Sequence, residues 1–535
     1  MDPRRLDVRT FLEGTAERNP TAPFLIWEDE EQSYADFDAA VDRAAALWHE
    51  LGVRKGDRVA FMADNSPGFL HAWLGLAKIG AVLVAVNTGF KYDEARYLVE
   101  HSEAAFALVD PAHAELFHRI GASSASLRTT MSLGAADGLD DFVAHAEALA
   151  GAAPAVDIDG DDVISLIYTS GTTGRPKGVM QPHRNYVLTG QAYPHWMRME
   201  KGDRIYACLP LFHINSQAYS TMGAIGAEGA LVLAPRFSAS RFWPDVRRHR
   251  VTVFNFIGAM TVILSKSTPS PEDRDHCVRV AYGVPALPHE VRMQVEERFG
   301  LACVSGFGMS ETTFGLLEPI DGERVPGSMG VPRSHPDPSL PLTEAMIIGE
   351  DGTELPRGQV GELALRSPAL MLGYFKDPDK TAETLVDGWL RTGDSAWQDE
   401  EGRFFFVDRL KDIVRRRGEN VSSLEVEMVI NRHPDVLESG VIGVPSELTD
   451  EELCAFVVPR PGHTVDPVSV VEWCEEHLAA FKVPRYVETI TSLPKTPTAK
   501  PEKHRLRSGD YPAGTRYDAG ARSTRPTAVG AGAGR

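Results

Sequence analysis

The sequence has few cysteines, no excess of basic charge and no long apolar segment. Its 535 residues include five cysteines without a CxxC or a Cys/His spacing suited to zinc, which argues against a disulfide scaffold and a structural zinc site. Aspartate and glutamate outnumber lysine and arginine by 75 to 55. This balance excludes a general electrostatic attraction to nucleic acid or to an anionic membrane surface, so we expect no nucleic-acid partner.

The most apolar stretch, residues 69–86, is too broken to cross a membrane. His71, Lys78 and Gly80 interrupt it, and it divides into a helix followed by a strand. We therefore predict no stable membrane insertion. The amino-terminal residues lack an apolar core with a small-residue cleavage site, so we expect no signal peptide and, given the free cysteines, a cytoplasmic location.

Helix-like and strand-like segments alternate along most of the chain. Helical spacing over 34–52, 66–79 and 92–101 alternates with apolar strands at 81–86 and 105–109. This alternation predicts an α/β fold with a large N-terminal domain of helix-covered, mostly parallel sheets. Residues 122–158 are poor in periodicity and are predicted to form a surface connection. Strand-rich segments after Gly361 predict a β subdomain that closes the large domain.

The pattern changes near residue 409 to short alternating helices and strands. We predict an N-terminal domain over 1–408 and a small, mobile α+β C-terminal domain over 409–507. Residues 508–535 contain no Leu, Ile, Met, Phe or Trp, so we predict a disordered tail there.

A loop rich in glycine and hydroxyl groups follows the predicted strand 163–168. Its glycines allow close backbone approach, its hydroxyls can donate to oxyanions, and its lysine adds positive charge. The pattern predicts a phosphate-binding loop, distinct from a Walker loop because the sequence contains no GK[ST]. The residues concerned are Thr169, Ser170, Gly171, Thr172, Thr173, Gly174 and Lys177.

This loop and five further segments resemble the adenylate-forming superfamily of acyl-CoA synthetases, carrier-loading adenylation domains and luciferases. The segments follow the superfamily's order. They are YTSGTTGRPKGV (168–179), PLFHINS (210–216), GFGMSET (306–312), GELALRSPALMLGY (361–374), RTGD (391–394) and DRLKDIVRRRGENVSSLEVE (408–427). Within the superfamily, the carnitine/crotonobetaine-CoA ligase branch looks closest in PLFHINSQ (210–217), SASRFW (238–243), GFGMSET (306–312), GENVSSLEVE (418–427) and FKVPRY (481–486).

The resemblance implies an ATP-dependent, AMP-forming acid–thiol ligase, an acyl-CoA synthetase that uses ATP, Mg²⁺ and coenzyme A. Such an enzyme converts a small-molecule carboxylic acid to an acyl adenylate and transfers the acyl group to coenzyme A. Alternatives are transfer to a carrier-protein thiol or to a nitrogen or oxygen nucleophile. An alternative of another class is a catalytically silent nucleotide-binding scaffold.

The resemblance also implies which residues bind the nucleotide. Glu311 follows small residues that are predicted to form a turn at 306–308. It is expected to hold Mg²⁺ with Thr172, because a carboxylate is the hard oxygen donor that Mg²⁺ prefers; alternatively, Glu311 begins a helix after Ser310. Asp394, in a Thr-Gly-Asp turn, is expected to accept the ribose hydroxyls. Besides the loop residues, the ATP/AMP site is expected to include Gly283, Val284, Pro285, Ser305, Gly306, Phe307, Gly308, Met309, Ser310, Asp394 and Arg409.

The acyl pocket and the catalytic groups are inferred in the same way. His213 is expected beside the acyl carboxylate, although a lone histidine after an apolar triplet is more often a core residue. Lys177, Glu311, His213 and Lys500 are the predicted catalytic residues. The pocket is expected to contain His213, Phe256, Gly258, Gly308, Phe314 and Gly315.

The resemblance assigns further roles within the C-terminal domain. Lys500 is expected to stabilise charge at the α-phosphate. Here Ala499 replaces the superfamily's glycine, and Lys495 and Lys503 lie nearby. Lys411 is the expected hinge. Arg415 and Gly418 are expected to meet coenzyme A together with Arg416 and Arg417; alternatively, the three arginines form a solvated basic face.

Overall fold

The computed structural model describes residues 2–169, 175–284, 287, 289–409, 413–446, 451–494, 503–509, 511, 514–520 and 523–525. The chain divides into two compact units. The first comprises Met1–Thr88, Arg96–Thr169 and Lys177–Asp408, and the second comprises Gly89–Ala95, Ser170–Pro176 and Arg409–Arg535.

Several of the helices begin at a capping side chain. Ser33, for example, accepts a hydrogen bond from the Asp36 amide at the start of the second helix, and Ser66 caps the third ahead of Pro67. The helices are α1 Val8–Arg18, α2 Tyr34–Glu50, α3 Pro67–Lys78, α4 Tyr92–Ser102, α5 Ala114–Ser123, α6 Phe142–Glu147, α7 His183–Met197, α8 Met222–Gly226, α9 Ala239–Arg248, α10 Gly258–Ser265, α11 His289–Phe299, α12 Pro378–Thr384, α13 Ser423–Ile430, α14 Pro467–His477 and α15 Lys503–Ser508. A π-helix, Asn215–Thr221, leads into α8.

The strands are, in chain order, β1 Pro23–Trp27, β2 Glu30–Ser33, β3 Arg58–Met62, β4 Val82–Ala85, β5 Phe106–Val109, β6 Thr129–Ser132, β7 Asp140–Asp141, β8 Val163–Thr169, β9 Lys177–Pro182, β10 Arg204–Ala207, β11 Ala230–Leu233, β12 Val253–Ile257, β13 Val280–Val284, β14 Ala302–Met309, β15 Thr312–Leu317, β16 Ser328–Pro332, β17 Glu344–Ile348, β18 Gly361–Arg366, β19 Leu385–Val386, β20 Trp389–Gln398, β21 Phe404–Arg409, β22 Ile413–Arg416, β23 Glu419–Ser422, β24 Val436–Pro445, β25 Glu451–Pro459, β26 Tyr486–Thr489, β27 Thr515–Asp518 and β28 Ser523–Arg525.

Two sheets build the first unit. One has the order β7-β6-β5-β3-β4-β8-β9 and is parallel except where β9 returns antiparallel to β8. The other has the order β17-β18-β20-β21-β16-β15-β14-β13-β12-β10-β11-β1-β2. Its pairs from β14 through β13, β12, β10 and β11 to β1 are parallel, whereas the pairs from β14 to β15 and from β15 to β16 are antiparallel. The antiparallel portion corresponds to the predicted closing β subdomain.

The second unit contains the hairpin β22–β23 and the five-stranded sheet β24-β25-β26-β27-β28. A large sheet-and-helix unit with a smaller α+β unit confirms the predicted fold class. In the part of the chain that the structure describes, every helix is too short or too polar to span a lipid bilayer.

Two predictions about segments expected to lack regular structure are wrong. Residues 122–158 contain β6, β7 and α6 rather than a plain surface connection, and Phe142 of α6 is buried against Trp48 at a ring distance of 4.5 Å. Part of the predicted disordered tail, 508–535, forms β27 and β28. Tyr517 is buried there, and the Arg516 Nε lies 2.8 Å from the Glu488 Oε2. Main-chain pairing with β26 orders this segment, although it lacks large aliphatic residues.

Candidate active site

The predicted phosphate-binding loop connects the two strands of a hairpin. Thr169, the last residue of β8, pairs directly with Lys177, the first residue of β9. Ser170, Gly171, Thr172, Thr173 and Gly174 lie outside the described residues. The hairpin therefore fixes both ends of the loop in the first unit.

A distant segment pairs with β9 and brings a tyrosine under the loop lysine. The Met180 amide donates to the Gly373 carbonyl at 3.0 Å, and the Phe375 amide donates to the Gly178 carbonyl at 2.8 Å. The ring of Tyr374 consequently lies below Lys177, with 5.4 Å between the Nζ atom and the ring centroid. A cation over an aromatic face at this distance is attracted to it.

Tyr374 also contacts Glu311, the predicted magnesium ligand. Its hydroxyl donates a hydrogen bond of 2.8 Å to the Oε1 atom of Glu311, which is only 6% exposed. Burial, followed by the adjacent Glu311 carboxylate, raises the pKa of Tyr374 well above its usual value. The phenol therefore remains a donor at neutral pH, and Lys177, Tyr374 and Glu311 form a continuous triad in the first unit.

The main chain around Glu311 is held from both sides. Its carbonyl accepts from the Met371 amide at 2.8 Å, and the Gln181 side-chain amide donates to the Ser310 carbonyl. Glu311 lies in the short connection between β14 and β15, so the alternative that it begins a helix is wrong. The predicted turn at 306–308 is also wrong, because these residues belong to β14 and Gly306 pairs with Leu317.

The glycines of β13, β14 and β15 are required by close packing. A Cβ atom on Gly306 would lie 2.6 Å from the Leu316 carbonyl oxygen, and one on Gly315 would lie 2.1 Å from the Phe307 carbonyl oxygen. On Gly283 it would lie 2.3 Å from the ring of Phe256. Any larger residue would push these elements apart. Most of the predicted ATP/AMP-site residues outside the loop form one wall, which lies on β13, β14 and the connection that follows. The wall contains Gly283, Val284, Ser305, Gly306, Phe307, Gly308, Met309 and Ser310. Pro285 lies outside the described residues.

Ser305 is anchored by a buried ion pair. The Ser305 amide donates to the Glu318 Oε2 atom at 2.9 Å, and the Arg292 guanidinium lies 3.0 Å from the other oxygen. Burial raises the pKa of Glu318, and the Ser305 amide and Arg292 oppose that rise. Glu318 therefore depends on these two partners for its charge, and breaking the pair would loosen the wall.

Asp394 lies within a strand and not in a separate turn as predicted. It belongs to β20, is 6% exposed, and follows Gly393, whose φ is +72°. The Glu362 carboxylate accepts from the Gly393 amide at 2.9 Å, and the pairing of β18 with β20 is irregular at this point. This irregularity turns the Thr-Gly-Asp segment out of the regular ladder. Arg409 is the last residue of β21.

The predicted acyl-pocket residues have different environments. Phe314 is fully buried against Trp196, with ring centroids 4.8 Å apart, so it acts as a core side chain. Phe256 is buried at the end of β12, and Gly258 begins α10. His213 is half-buried beside Phe212, at a ring distance of 4.7 Å.

In the second unit, the arginines have different environments. Arg416 is buried, forms an ion pair of 2.6 Å with Glu452, and donates to the Val483 carbonyl at 2.6 Å. Arg417 is exposed and lies 3.7 Å from Glu452, and the Arg415 amide donates to Glu451. Arg416 thus has a structural role in the predicted basic cluster. Gly418 follows with a φ of +83°.

We predict that Arg416→Ala destabilises the second unit by about 3–5 kcal/mol, because it leaves the buried carboxylate of Glu452 without its partner. Arg417→Ala is the control and should change stability by less than about 0.5 kcal/mol, because that side chain is exposed. Urea titration followed by circular dichroism measures both. Equal midpoints for the two variants would contradict this assignment.

Two predicted residues of the C-terminal domain, Lys411 and Lys500, lie outside the described residues. Lys503, one of the two lysines near Lys500, forms an ion pair of 2.7 Å with Glu427 and donates to the Ser423 hydroxyl. Glu427 in turn accepts from the Val441 amide. Lys503 therefore links α15 to α13 and, through Glu427, to β24. A lysine held in this structural ion pair is poorly suited to a reaction centre.

The sequence did not single out Tyr374 or Arg333. Tyr374 closes a recognised motif, but its contact with Glu311 depends on strand pairing over a long sequence distance. Arg333 is 4% exposed and donates to the hydroxyls of Tyr282 and Tyr219 at 3.0 and 2.9 Å. Nothing in the local pattern around Arg333 predicts its burial.

Comparison with known proteins adds a family assignment for most of the chain. A family model described as "AMP-binding enzyme" matches residues 12–375, and one described as "AMP-binding enzyme C-terminal domain" matches residues 425–500. The chain is 35% identical over 491 residues to a crotonobetaine/carnitine–CoA ligase of Salmonella arizonae, covering 89% of this chain and 93% of that protein.

Solved structures are similar over nearly the whole chain. The o-succinylbenzoate CoA synthetase of Bacillus subtilis, bound with a product analogue, matches with a TM-score of 0.81 at 26% identity, covering 93% of this chain and 98% of that one. The amide bond synthetase McbA of Marinactinospora thermotolerans matches with a TM-score of 0.83 at 25% identity, covering 93% and 99%.

Proposed function

Because this chain belongs to the family of AMP-binding enzymes, we propose that it is an AMP-forming acid–thiol ligase. It activates a small-molecule carboxylic acid with ATP and transfers the acyl group to the thiol of coenzyme A. Acyl-CoA ligases of this family use ATP, Mg²⁺ and coenzyme A.

The observation that carries the proposal is the triad of Lys177, Tyr374 and Glu311. It joins a cation at the end of the phosphate-binding loop to a buried carboxylate through one phenol. ATP chemistry requires positive charge at the phosphates and a hard oxygen donor for the accompanying metal ion, and the triad supplies both in the first unit.

Two steps account for the activity. A carboxylate oxygen of the acid attacks the α-phosphorus of ATP, a bond to the acid forms, and pyrophosphate leaves with the electron pair of the broken P–O bond. The coenzyme A thiol then loses its proton to solvent, and its sulfur attacks the carbonyl carbon of the acyl adenylate. The bond from that carbon to the phosphate oxygen breaks, and AMP leaves with its electron pair. Lys177 and Lys500 stabilise the charge that develops in the first step.

The side chains fit a magnesium ion. The buried Glu311 carboxylate is held in place by the Tyr374 hydroxyl and by a fixed main chain, and such an oxygen is a suitable Mg²⁺ ligand. When bound, the ion neutralises phosphate charge. Thr172 is the second proposed ligand.

The remaining nucleotide contacts follow the same assignment. Asp394, which the irregularity in β20 turns out of the strand ladder, accepts the ribose hydroxyls, and Arg409 approaches the same nucleotide. The Gly-rich wall of β13 and β14 receives the adenine and the acyl chain, with His213 beside the reacting carboxylate. Lys411 is the hinge for movement of the C-terminal domain over 409–507, and Arg415 and Gly418 contact coenzyme A.

The acyl acceptor has alternatives to coenzyme A. A carrier-protein thiol would give the same first step, and the similarity to an amide bond synthetase keeps an amine nucleophile in consideration. The enzyme acts on a small molecule in the cytoplasm in either case.

Pyrophosphate release in the presence of ATP, Mg²⁺ and single carboxylic acids tests the proposal, with crotonobetaine and carnitine included because of the relatives' names. We expect at least one acid to give AMP, and coenzyme A to convert the adenylate to a thioester that mass spectrometry detects. If hydroxylamine traps the adenylate but no thioester forms, the acceptor is a nucleophile other than coenzyme A. No AMP from any acid would refute the proposal.

A further inference from the structure

Arg333 is a buried cation surrounded by aromatic rings. Its guanidinium carbon lies 4.6 Å from the ring centroid of Trp196, 5.2 Å from that of Tyr219 and 5.4 Å from that of Tyr282. It donates to both tyrosine hydroxyls and to the Thr313 carbonyl at 3.2 Å. The partners of Arg333 are therefore neutral oxygens and aromatic faces.

Within the described residues, no carboxylate forms an ion pair with Arg333, and its Nε atom has no hydrogen-bond partner. By contrast, the buried Arg292 faces Glu318 at 3.0 Å and the buried Arg416 faces Glu452 at 2.6 Å. A buried charge without an opposite charge beside it is costly. The burial of Arg333 without a paired carboxylate among the described residues therefore points to a role in recognition.

The position of Arg333 connects it with the proposed acyl site. Tyr282 lies on β13, Thr313 lies on β15, and Tyr219 belongs to the π-helix that follows the segment containing His213. A Cβ atom on Gly308 would lie 3.3 Å from the Nη2 atom of Arg333 and 3.2 Å from the Tyr219 hydroxyl. The guanidinium therefore packs directly against the wall that the proposal assigns to the acyl chain.

We propose that Arg333 determines the charge selectivity for the acid: acids whose far end is uncharged or carries oxygen acceptors are activated, and acids with a cationic far end are rejected. This inference rests on the proposed function. Aromatic faces of this kind could otherwise receive a quaternary ammonium group, but here the guanidinium of the chain itself occupies them.

Electrostatics gives the direction and size of the effect. Two like charges separated by several ångströms in a protein interior repel each other far more strongly than in water, so the cost corresponds to roughly tenfold or more in affinity. An uncharged end of the same shape does not meet this repulsion.

The test compares crotonobetaine with its carbon isostere, in which a tert-butyl group replaces the trimethylammonium group. The full-length protein should release pyrophosphate with a kcat/KM for the isostere at least about tenfold above that for crotonobetaine. Arg333→Met removes the charge at similar length and should bring the ratio close to one. Arg333→Lys keeps the charge and should keep the ratio. A purely structural role of Arg333 would not predict different ratios for these two variants.

Each outcome decides the inference. Equal use of the two acids by the wild type, a preference for crotonobetaine, or an unchanged ratio in a folded Arg333→Met variant overturns it. If that variant does not fold, the wild-type and Arg333→Lys ratios decide. If no acid gives AMP, the proposed function fails, and the inference is then tested separately by the shift in melting temperature that each acid causes. A shift with the isostere and none with crotonobetaine supports it, whereas equal shifts or none with either acid overturn it.

Discussion

Replacing Glu311 with glutamine is expected to lower acid-dependent pyrophosphate release at least about a hundredfold, or roughly 2.7 kcal/mol of transition-state stabilisation. The amide is nearly isosteric and its oxygen can still accept from the Tyr374 hydroxyl, so the packing around this 6%-exposed position is retained. What is lost is the negative charge that we propose as the ligand of the metal ion. Steady-state rates over a range of Mg²⁺ concentrations measure the effect.

Tyr374→Phe is the matched comparison. It keeps the ring below Lys177 but removes the hydroxyl that holds the Glu311 Oε1 atom at 2.8 Å. We expect a smaller loss, about tenfold to a hundredfold, that higher Mg²⁺ partly restores, because the carboxylate remains but is less well oriented. If Glu311→Gln retained wild-type rates, or if added Mg²⁺ restored it as fully as Tyr374→Phe, Glu311 would not be the ligand.

Local chemistry allowed some features to be predicted from the sequence. Glycines and hydroxyls after an apolar strand predicted a phosphate-binding loop; its function stays a prediction, and its ends, Thr169 and Lys177, pair in a hairpin. The alternation of helices and strands likewise predicted the α/β class. Both inferences depend on periodicity and turn chemistry over short distances.

The contacts within the site could not be predicted in this way. Tyr374 reaches Lys177 and Glu311 because residues 372–375 hydrogen-bond to Gly178 and Met180, almost two hundred positions earlier in the chain. Arg333 is likewise enclosed by Trp196, Tyr219 and Tyr282 from three separate elements. A single sequence gives periodicity but not the pairing of distant segments, so these partners emerge only from the fold.

The wrong local predictions have a common cause. Small residues at 306–308 and at Gly393 suggested turns, yet they lie within β14 and β20, where glycine is needed because neighbouring backbone comes close or the ladder is irregular. The tail was judged by its lack of aliphatic residues, although an existing strand, β26, could order it through main-chain hydrogen bonds. In each case tertiary context determines what composition alone leaves open.

The second large effect is expected at Lys500. Lys500→Ala should lower acid-dependent pyrophosphate release about a hundredfold to a thousandfold, because in the proposed mechanism the ammonium group stabilises charge only while the carboxylate attacks the α-phosphate. Thioester formation from supplied acyl adenylate should fall less than about threefold, since that step does not need the same charge. The two half-reactions are measured separately, by pyrophosphate release and by thioester formation from synthetic acyl adenylate.

Lys495→Ala is the control for Lys500, since it removes a neighbouring positive charge and should leave both half-reactions within about threefold of the wild type. Lys503→Ala differs from both because it breaks the 2.7 Å ion pair with Glu427 and should lower stability before it affects one half-reaction selectively. Ala499→Gly adds a further test: where the backbone needs a positive φ, glycine relieves about 1 kcal/mol of strain and raises the adenylation rate severalfold. Equal losses in both half-reactions for Lys500→Ala would mean that this lysine supports the fold and not the chemistry of the first step.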